Sequence, residues 1–391
     1  MLENDINHIK IGIIGGGQLG KMMILEGQKM GLQFIILDPD SHCPAAPIAD
    51  EQIVADFYDQ EKIEALAESC HILTYEFEHI DADVLISLQE KGYMIEPAPQ
   101  ILKVIQDKYE QKKRLRDNDI PVGDFKKVYS IGDIYEAIED FQLPILLKSC
   151  RGGYDGKGNY LINDLDEVEL AYKSLGNGQA DLMVEAFVPF EKEISAIVAR
   201  GINGEIKVFP MAENIHVDNI LNTTIFPAQI SQRAEDQAKE VAMKTMEMLK
   251  GVGVFCVEMF IDKDERVLVN EIAPRTHNSG HFTIEACVTS QFAQQLRCLL
   301  GLPLGDVGLL SSGVMVNLLG ENKQRGPAKM IGVAEVLKIP GVFLHYYGKT
   351  ETSPQRKMGH VTILGSSIDE AMEKAVDVRK LLRVVSQDKN D

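Results

Sequence analysis

The hydrophobic pattern at the start of the chain alternates between short apolar runs and longer amphipathic segments. Ile9–Ile14 is a continuous apolar run that predicts a buried strand, and Lys21–Met30 has apolar residues at helical spacing. Together with the apolar run Phe34–Leu37, they form a βαβ opening. The same alternation continues through the predicted elements Gln52–Ala55, Gln60–Ser69, His71–Tyr75, Asp81–Gly92 and Gln100–Asp117. This order predicts an open α/β domain.

After Pro97 and Pro99 the pattern changes, and these two prolines indicate a domain boundary. The remaining predicted strands are Pro144–Lys148, Asn159–Ile162, Leu182–Pro189, Ile194–Ala199, Val314–Leu318, Glu335–Leu337 and Val361–Leu364. The predicted helices in this part are Ser231–Lys250, Ile284–Leu300 and Asp369–Val384. Strands and helices no longer alternate regularly, which is typical of a mixed α+β arrangement.

The stretch from Val254 to His281 predicts a β-hairpin with two acidic side chains on one face. Val254–Ile261 and Arg266–Ile272 are rich in strand-forming residues, and the four polar residues between them form the turn. This turn would pair Ile261 with Arg266, which leaves Glu258 opposite Val269 and Glu271 one diagonal step away on the same face. Two carboxylates in an apolar hairpin repel each other and lose hydration. The pattern therefore predicts either a solvated face or a shared divalent cation such as Mg²⁺.

Composition narrows the class of partner. The 391 residues suffice for two or three domains, and the formal charge of −19 argues against a nucleic-acid partner. An anionic substrate must then meet a local basic cluster. The six cysteines show neither a CxxC pair nor metal-ligand spacing, and the chain shows neither a signal peptide nor a membrane-length apolar run. These features predict a cytoplasmic globular protein without a membrane partner.

The first strand leads into a glycine-rich loop, Gly15–Gly20, of the form G-x-G-x-x-G. Asp38 lies near the position where dinucleotide-binding enzymes keep a ribose-binding acid, so a nicotinamide cofactor is one interpretation. The loop equally suits any phosphate brought to a helix N-terminus. Glu76 follows a predicted strand and is expected near this loop, either as a ligand contact or as a helix cap.

Two further stretches have the composition of phosphate sites. The run Arg151–Gly158 is rich in glycine and follows the strand lysine Lys148, but it lacks the spacing of a Walker loop. Its backbone is able to fold tightly over phosphates, although a flexible turn is the alternative. Near the C-terminus, Lys349 and the pair Arg356-Lys357 bracket a basic loop, which either meets a substrate phosphate or is simply solvated.

These motifs, in this order, resemble the ATP-grasp superfamily and, within it, the 5-(carboxyamino)imidazole ribonucleotide synthases. The resemblance covers about Ile9 to His360. Its most specific parts are the glycine tip Gly153–Gly158, the run Asn270–His281, and Lys349 with Arg356-Lys357. It implies an ATP-grasp fold with an N-terminal open α/β domain over 1–105, a small mobile lid domain over 106–190 and a C-terminal mixed domain over 191–391.

The resemblance also implies roles for individual residues. ATP contacts are implied for Lys108, Lys148, Gly153, Tyr154, Asp155, Gly156, Lys157, Gly158, Asn159, Glu185, Ala186, Phe187, Val188, Glu193, His216, Asn270 and Glu271. Ribonucleotide contacts are implied for Gly17, Gln18, Leu19, Glu76, Lys349 and Arg356. Mg²⁺ ligands are implied at Glu258 and Glu271. Catalytic roles are implied for Tyr154, Asp155, Arg275, His277 and Lys357.

In this scheme Arg275 and His277 would hold bicarbonate, and Asp155 would accept a proton from the amine that Tyr154 and Lys357 flank. The implied activity is ATP-dependent carboxylation of 5-aminoimidazole ribonucleotide by a homodimer with ATP and Mg²⁺ as cofactors. A formate-using transformylase or a biotin carboxylase would share the ATP residues. A nicotinamide dehydrogenase and a non-catalytic ATP-binding regulator are alternatives from other classes. Thr276 and Ala273 depart from residues common in ATP-grasp enzymes, namely a proline and an asparagine.

Overall fold

The computed structural model describes residues 6, 8–153, 158–176, 178–321 and 325–387. Its first part is a four-stranded parallel sheet of order β3-β2-β1-β4. The elements are β1 (Lys10–Ile14), α1 (Gln18–Gln28), β2 (Gln33–Leu37), β3 (Glu51–Ile53), α2 (Gln60–Ser69), β4 (Ile72–Tyr75) and α3 (Ala82–Glu90). The apolar strands are almost completely buried because helices cover both faces. The expected open α/β arrangement is therefore present in this part.

Two helices, α4 (Pro99–Ile105) and α5 (Lys108–Asp117), lead into a second four-stranded sheet, which is antiparallel and has the order β5-β8-β6-β7. Its elements are β5 (Phe125–Val128), α6 (Ile131–Phe141), β6 (Ile145–Ser149), β7 (Asn159–Ile162), α7 (Val168–Ser174) and β8 (Leu182–Ala186). Helices α6 and α7 pack their apolar residues against one face. The other face carries the strand lysine Lys148.

The largest sheet has nine strands in the order β14-β13-β9-β11-β12-β15-β19-β17, with β10 paired to β9. Its first elements are β9 (Phe190–Arg200), β10 (Ile206–Val208), β11 (Ala212–Val217), β12 (Ile220–Phe226), α8 (Gln232–Leu249), β13 (Gly253–Asp262), β14 (Val267–Ala273), α9 (Thr283–Ala286), α10 (Gln291–Leu299) and β15 (Gly313–Leu319). Helix α8 covers one face and α10 covers the other. Helix α10 also packs against α1, so it joins this sheet to the parallel one.

The chain ends with β16 (Gly326–Ile331), α11 (Val333–Val336), β17 (Val342–Tyr346), β18 (Glu351–Thr352), β19 (Lys357–Leu364), α12 (Ile368–Leu381) and β20 (Arg383–Ser386). Strands β18, β16 and β20 form a small separate sheet. No helix among the described residues combines the length and apolar character needed to cross a membrane.

Several predicted helices and strands differ from the observed ones, each at a specific position in the chain. The predicted helix Ile284–Leu300 is interrupted because Cys287 bridges to Leu309 and Ser290 caps a new helix. The predicted helix Gln100–Asp117 is likewise two helices, since the Asp107 side chain caps the second one. Residues 335–337, predicted as a strand, lie in and just after α11. Residues 383 and 384, predicted as the end of the last helix, belong to β20 instead, which pairs with β16.

The hairpin register differs from the expected one and changes how the two acids meet. Asp262 accepts hydrogen bonds from the backbone N–H groups of Asp264 and Arg266, which lengthens the turn so that Ile261 pairs with Val267. A β-bulge between Glu258 and Met259 then shifts the pairing by one residue, so that Glu271 lies on the same face of the sheet as Glu258. As a result Glu258 lies directly opposite Glu271 and not on a diagonal. The predicted shared face is confirmed, but the predicted register is wrong.

Candidate functional site

A cavity of about 1020 Å³ lies where the three larger sheets meet. Most of the sequence-predicted site residues line it, namely Gln18, Leu19, Glu76, Lys108, Lys148, Gly153, Asn159, Phe187, Glu193, His216, Glu258, Asn270, Glu271, Arg275, His277 and Lys357. Seven others do not line it: Gly17, Gly158, Glu185, Ala186, Val188, Lys349 and Arg356. Tyr154, Asp155, Gly156 and Lys157 lie outside the described residues. The cavity is large enough to hold a nucleotide together with a second substrate.

The two hairpin carboxylates occupy the floor of this cavity. Burial, and secondly the charge of Glu271, raise the pKa of Glu258 to about 7. Burial acts the same way on Glu271, but Lys108 and Lys148 outweigh it and lower the pKa of that carboxyl. The Lys108 Nζ lies 3.2 Å from Glu271 Oε2. A cation between the two carboxylates would offset the burial and the repulsion that raise the pKa of Glu258, which is the electrostatic setting of a cation site.

Glu185, on β8 of the second four-stranded sheet, binds two lysines beside the cavity. Its Oε2 lies 3.0 Å from Lys148 Nζ and 3.3 Å from Lys112 Nζ, and all three side chains are buried. Although burial favours the neutral carboxyl, the two lysines lower the pKa of Glu185. Sequence reasoning missed Lys112, although its position one helical turn after Lys108 was a usable signal. In the structure, the Glu185 side chain forms ion pairs with both lysines.

A further part of the cavity lining suits an adenine and a ribose. Phe190 and Phe260 stack with ring centroids 4.5 Å apart, and both line the cavity. Nearby, Glu193 and His216 are in hydrogen-bond contact through Oε2 and Nδ1. Phe187, in the connector after β8, is an exposed aromatic side chain that also lines the cavity. These groups offer apolar contact area beside a carboxylate that can accept hydroxyl protons.

Arg275 links the nine-stranded sheet to the parallel one. Its Nη2 lies 2.8 Å from Glu78 Oε1, and its Nη1 donates to the carbonyl oxygen of Thr276 at 3.0 Å. The buried Nε has no hydrogen-bond partner among the described residues. Glu78 was not predicted as a site residue, although it follows Glu76 at the end of β4 with the same strand periodicity. The guanidinium has five N–H donors and lines the cavity, so these contacts leave donor capacity for an incoming anion.

The glycine loop at the start of α1 does not hold a phosphate cradle. The Glu76 carboxylate accepts the backbone N–H groups of Gly17 and Gly20, the latter at 2.6 Å. Asp38 is buried and accepts the N–H of Gly16 at 2.8 Å. The nicotinamide interpretation is therefore wrong, because two side-chain carboxylates occupy the amides of Gly16, Gly17 and Gly20 that a pyrophosphate would need. The ribonucleotide contacts expected at Gln18 and Leu19 stay a prediction. Gly17 contributes by positioning Glu76, which does line the cavity.

The basic loop near the C-terminus lies beside this carboxylate. Lys349 Nζ donates to the carbonyl of Lys357 at 2.7 Å, and Arg356 Nη1 donates to that of Glu351 at 2.8 Å. Burial, then the neighbouring Arg356, lower the pKa of Lys349 to about 8. Lys21, which sequence reasoning missed, donates to the carbonyl of Tyr347 at 3.0 Å and so brings α1 against this loop. A phosphate would relieve the mutual repulsion of these cations.

Comparison with known proteins matches three successive parts of the chain to three family models. Residues 113–292 match the ATP-grasp domain model, residues 8–106 match the ribonucleotide synthetase preATP-grasp domain, and residues 313–374 match the phosphoribosylaminoimidazole carboxylase C-terminal domain. The N5-carboxyaminoimidazole ribonucleotide synthase of Bacillus subtilis is 41% identical over 365 residues, which are 93% of each chain. The chain belongs to this ATP-grasp family.

Solved structures of N5-carboxyaminoimidazole ribonucleotide synthases confirm the predicted ATP-grasp fold. The enzyme from Thermotoga maritima has a TM-score of 0.89 and 46% identity, covering 97% of this chain and 100% of its own. The Aspergillus clavatus enzyme, solved in complex with ADP and 5-aminoimidazole ribonucleotide, has a TM-score of 0.88 and 30% identity, covering 96% and 99%. Family membership makes this protein an ATP-grasp ligase, and ATP is its nucleotide.

Proposed function

We propose that this protein carboxylates the exocyclic amine of 5-aminoimidazole ribonucleotide with bicarbonate and ATP, giving 5-carboxyaminoimidazole ribonucleotide, ADP and phosphate in purine biosynthesis. The observation that carries the proposal is the pair Glu258 and Glu271, facing each other in a cavity that also presents Arg275. The test is an ADP-release assay with bicarbonate and each candidate acceptor. Release that depends on aminoimidazole ribonucleotide supports the proposal, whereas release that depends on formate or biotin contradicts it.

The chemistry requires activation because the carbon of bicarbonate is shielded by delocalised negative charge. Transfer of the γ-phosphoryl group of ATP to bicarbonate gives carboxyphosphate and ADP. The amine then bonds to the carboxyphosphate carbon, phosphate leaves with the C–O electron pair, and the amine loses a proton. Asp155 as the proton acceptor, with Tyr154 and Lys357 beside the amine, stays a prediction from the sequence. The work of the protein is positioning and charge stabilisation.

The donors of the cavity fit these tasks. Arg275 lines the cavity and offers the planar donor fork of its guanidinium to a carboxylate-like anion such as bicarbonate. Lys108 and Lys148 supply positive charge for phosphates. The opposed carboxylates of Glu258 and Glu271 fit Mg²⁺, which we propose they hold, because a cation offsets both the burial and the repulsion by Glu271 that raise the pKa of Glu258. When bound, Mg²⁺ would neutralise negative charge on the phosphates.

The remaining assignments concern compartment and assembly. All six cysteines are free thiols, which supports the reducing cytoplasm as the location. A homodimer stays a prediction that light scattering of the purified chain would check.

Replacing Lys112 with methionine should raise the KM for ATP about tenfold and leave the KM for the ribonucleotide unchanged. Lys148 must turn from Glu185 to a phosphate, and Lys112 then remains to neutralise the buried carboxylate. Steady-state kinetics with each substrate varied in turn would measure this. Lys113→Met, on the exposed side of the same helix, is the matched control. An unchanged KM for ATP in a folded Lys112→Met variant contradicts this role.

Replacing Lys349 with alanine should raise the KM for the ribonucleotide at least tenfold with little change in kcat, since it would hold a non-reacting phosphate. In the unmodified enzyme, kcat/KM for the ribonucleotide should fall as pH rises through about 8, because the ammonium is charged below its pKa and neutral above it. This fall should vanish in the variant. Exposed Lys329→Ala is the control, and an identical KM in both variants would place the phosphate elsewhere.

A further inference from the structure

A row of buried polar side chains lies on the same face of the nine-stranded sheet as Glu258, next to the cavity but not lining it. Ser195 of β9, Asn214 of β11 and Thr224 of β12 are buried, and Ser279 lies at the end of the row beside His277. Polar side chains on the core-facing side of a sheet are costly unless they are fully hydrogen-bonded. Their hydrogen bonds connect all four residues to the His277 ring.

The direction of these hydrogen bonds is fixed at the histidine end. The backbone N–H of Ser279, which can only donate, lies 3.3 Å from Nδ1 of His277, so that nitrogen carries no proton. The Ser279 hydroxyl, 2.9 Å from the same nitrogen, must therefore donate to it as well. Because a hydroxyl has one proton, Ser279 Oγ then accepts from its other neighbours, the Ser195 hydroxyl at 2.8 Å and the Cys256 thiol at 3.8 Å.

The rest of the chain continues in the same sense. Ser195 Oγ accepts from Asn214 Nδ2 at 3.0 Å, and Asn214 Oδ1 accepts from the Thr224 hydroxyl at 3.0 Å. Each hydroxyl donates its proton toward His277. The ring must then carry its proton on Nε2, and this nitrogen lies 3.5 Å from Glu258 Oε1 in the cavity.

The backbone of His277 is held separately. Gln291 accepts the His277 N–H through Oε1 at 2.9 Å and donates to the His277 carbonyl through Nε2 at 2.7 Å. Gln291 is fully buried at the start of α10. With the backbone clamped on both sides and Nδ1 held by Ser279, the ring has one orientation and one tautomer.

Building on the proposed function, we propose that Ser279 is a positioning residue that fixes the Nε2–H tautomer of His277, through its backbone N–H and through a hydroxyl that Asn214 and Ser195 orient toward Nδ1. The ring thereby presents a hydrogen-bond donor to the bicarbonate or carboxyphosphate held beside Arg275. A donor prepared before the reaction stabilises developing negative charge without reorientation. None of the four side chains lines the cavity, so their effect on turnover is transmitted through His277.

The same hydrogen bonds also bear on whether His277 could bind a metal ion instead of donating a proton. Among the residues that the structure describes, Cys256, Glu258 and His277 could together hold a metal ion, because their donor atoms lie within 4.8 Å of one another. A metal at Nε2 requires the lone pair of that nitrogen and a proton on Nδ1. That proton would meet the N–H of Ser279. The chain therefore favours a proton donor over a metal ligand.

The test compares two nearly isosteric changes in the chain. In Asn214→Asp, an ionised carboxylate can only accept, so Ser195 turns toward it and no longer orients the Ser279 hydroxyl toward Nδ1. The longer backbone contact from Ser279 N–H, at 3.3 Å, is then the one donor still fixed on Nδ1, and part of the rings can carry the proton there. We expect the Nδ1–H tautomer to appear in nitrogen NMR spectra of isotope-labelled histidine, and kcat to fall at least tenfold with the KM for ATP unchanged. In Thr224→Val the Asn214 amide still donates toward Ser195, so we expect the original tautomer and near-normal kcat.

Spectra are recorded at a pH where the carbon chemical shift of the new carboxyl reports its ionised form. If Asn214→Asp does not fold, Ser195→Ala serves instead, since it removes the donor to Ser279 and should yield a mixture of tautomers. An unchanged Nε2–H ring in the folded variant overturns the proposal, as does a wild-type ring with the proton on Nδ1. The NMR result is independent of turnover. A wild-type enzyme without ribonucleotide-dependent ADP release would contradict the proposed function alone.

Discussion

Replacing Arg275 with alanine should lower kcat about a hundredfold to a thousandfold, the range found when a donor to a developing anion is removed. The guanidinium keeps its buried Nε unpaired while Glu78 and the Thr276 carbonyl hold the other two nitrogens. It is thus oriented in advance, with donor capacity left for an anion. Single-turnover ADP formation at saturating ATP and ribonucleotide would measure the effect on the phosphoryl-transfer step.

Two further variants separate the roles of Arg275. Arg275→Lys keeps the charge but loses the planar fork, so it should recover only a small part of the rate. Glu78→Gln tests whether the lost rate comes from misplacing the arginine, and we expect a smaller decrease because the Thr276 contact remains. Arg233→Ala, on the exposed side of α8, controls for charge removal. A wild-type rate in Arg275→Ala would mean that bicarbonate binds elsewhere.

Replacing Glu271 with glutamine should reduce ribonucleotide-dependent ADP release at least a hundredfold. The substitution keeps the shape of the side chain but removes one of the two charges that face each other across the hairpin. The cation proposed for this site would lose a ligand, and Lys108 would lose the partner 3.2 Å away. The dependence of the rate on Mg²⁺ concentration is the direct measurement, and its midpoint should move to higher concentration.

The matched control is Glu265→Gln in the turn of the same hairpin, which should leave the rate and the Mg²⁺ midpoint unchanged. Thermal unfolding of both variants separates a folding defect from a loss of chemistry. Near-normal turnover in Glu271→Gln would remove the metal assignment, and with it the main support for the proposed first step.

The sequence was sufficient to predict those parts of the site in which local pattern and chemistry coincide. From two acids in one apolar hairpin, the sequence analysis correctly predicted that both side chains lie on one face of the sheet. The register that pairs Glu258 with Glu271 depends on a β-bulge and on the turn around Asp262, and the sequence pattern does not reveal either. The parallel sheet followed from apolar runs at regular spacing. Helix breaks at Asp107 and Ser290 were less visible, because a single capping side chain overrides a helical pattern.

Contacts between distant segments could not be predicted. The pairs Glu78–Arg275 and Lys112–Glu185 join residues from different sheets and helices, and their partners have no sequence spacing to reveal them. The line from Thr224 to His277 crosses several strands and is visible only once their order is known. The glycine loop shows the opposite case, since its motif was evident but its meaning depended on Glu76, far along the chain.

The Glu76 carboxylate, which accepts hydrogen bonds from that loop, also affects how the two nucleotides would share one cavity. A helix start that already holds an anion repels a polyphosphate, whereas ribose hydroxyls can donate to the oxygens that remain. At the other end Lys108 and Lys148 attract the triphosphate. The ribonucleotide would thus place its sugar at Glu76 and its phosphate at the basic loop beside it, while the longer phosphate chain of ATP would lie at the other end.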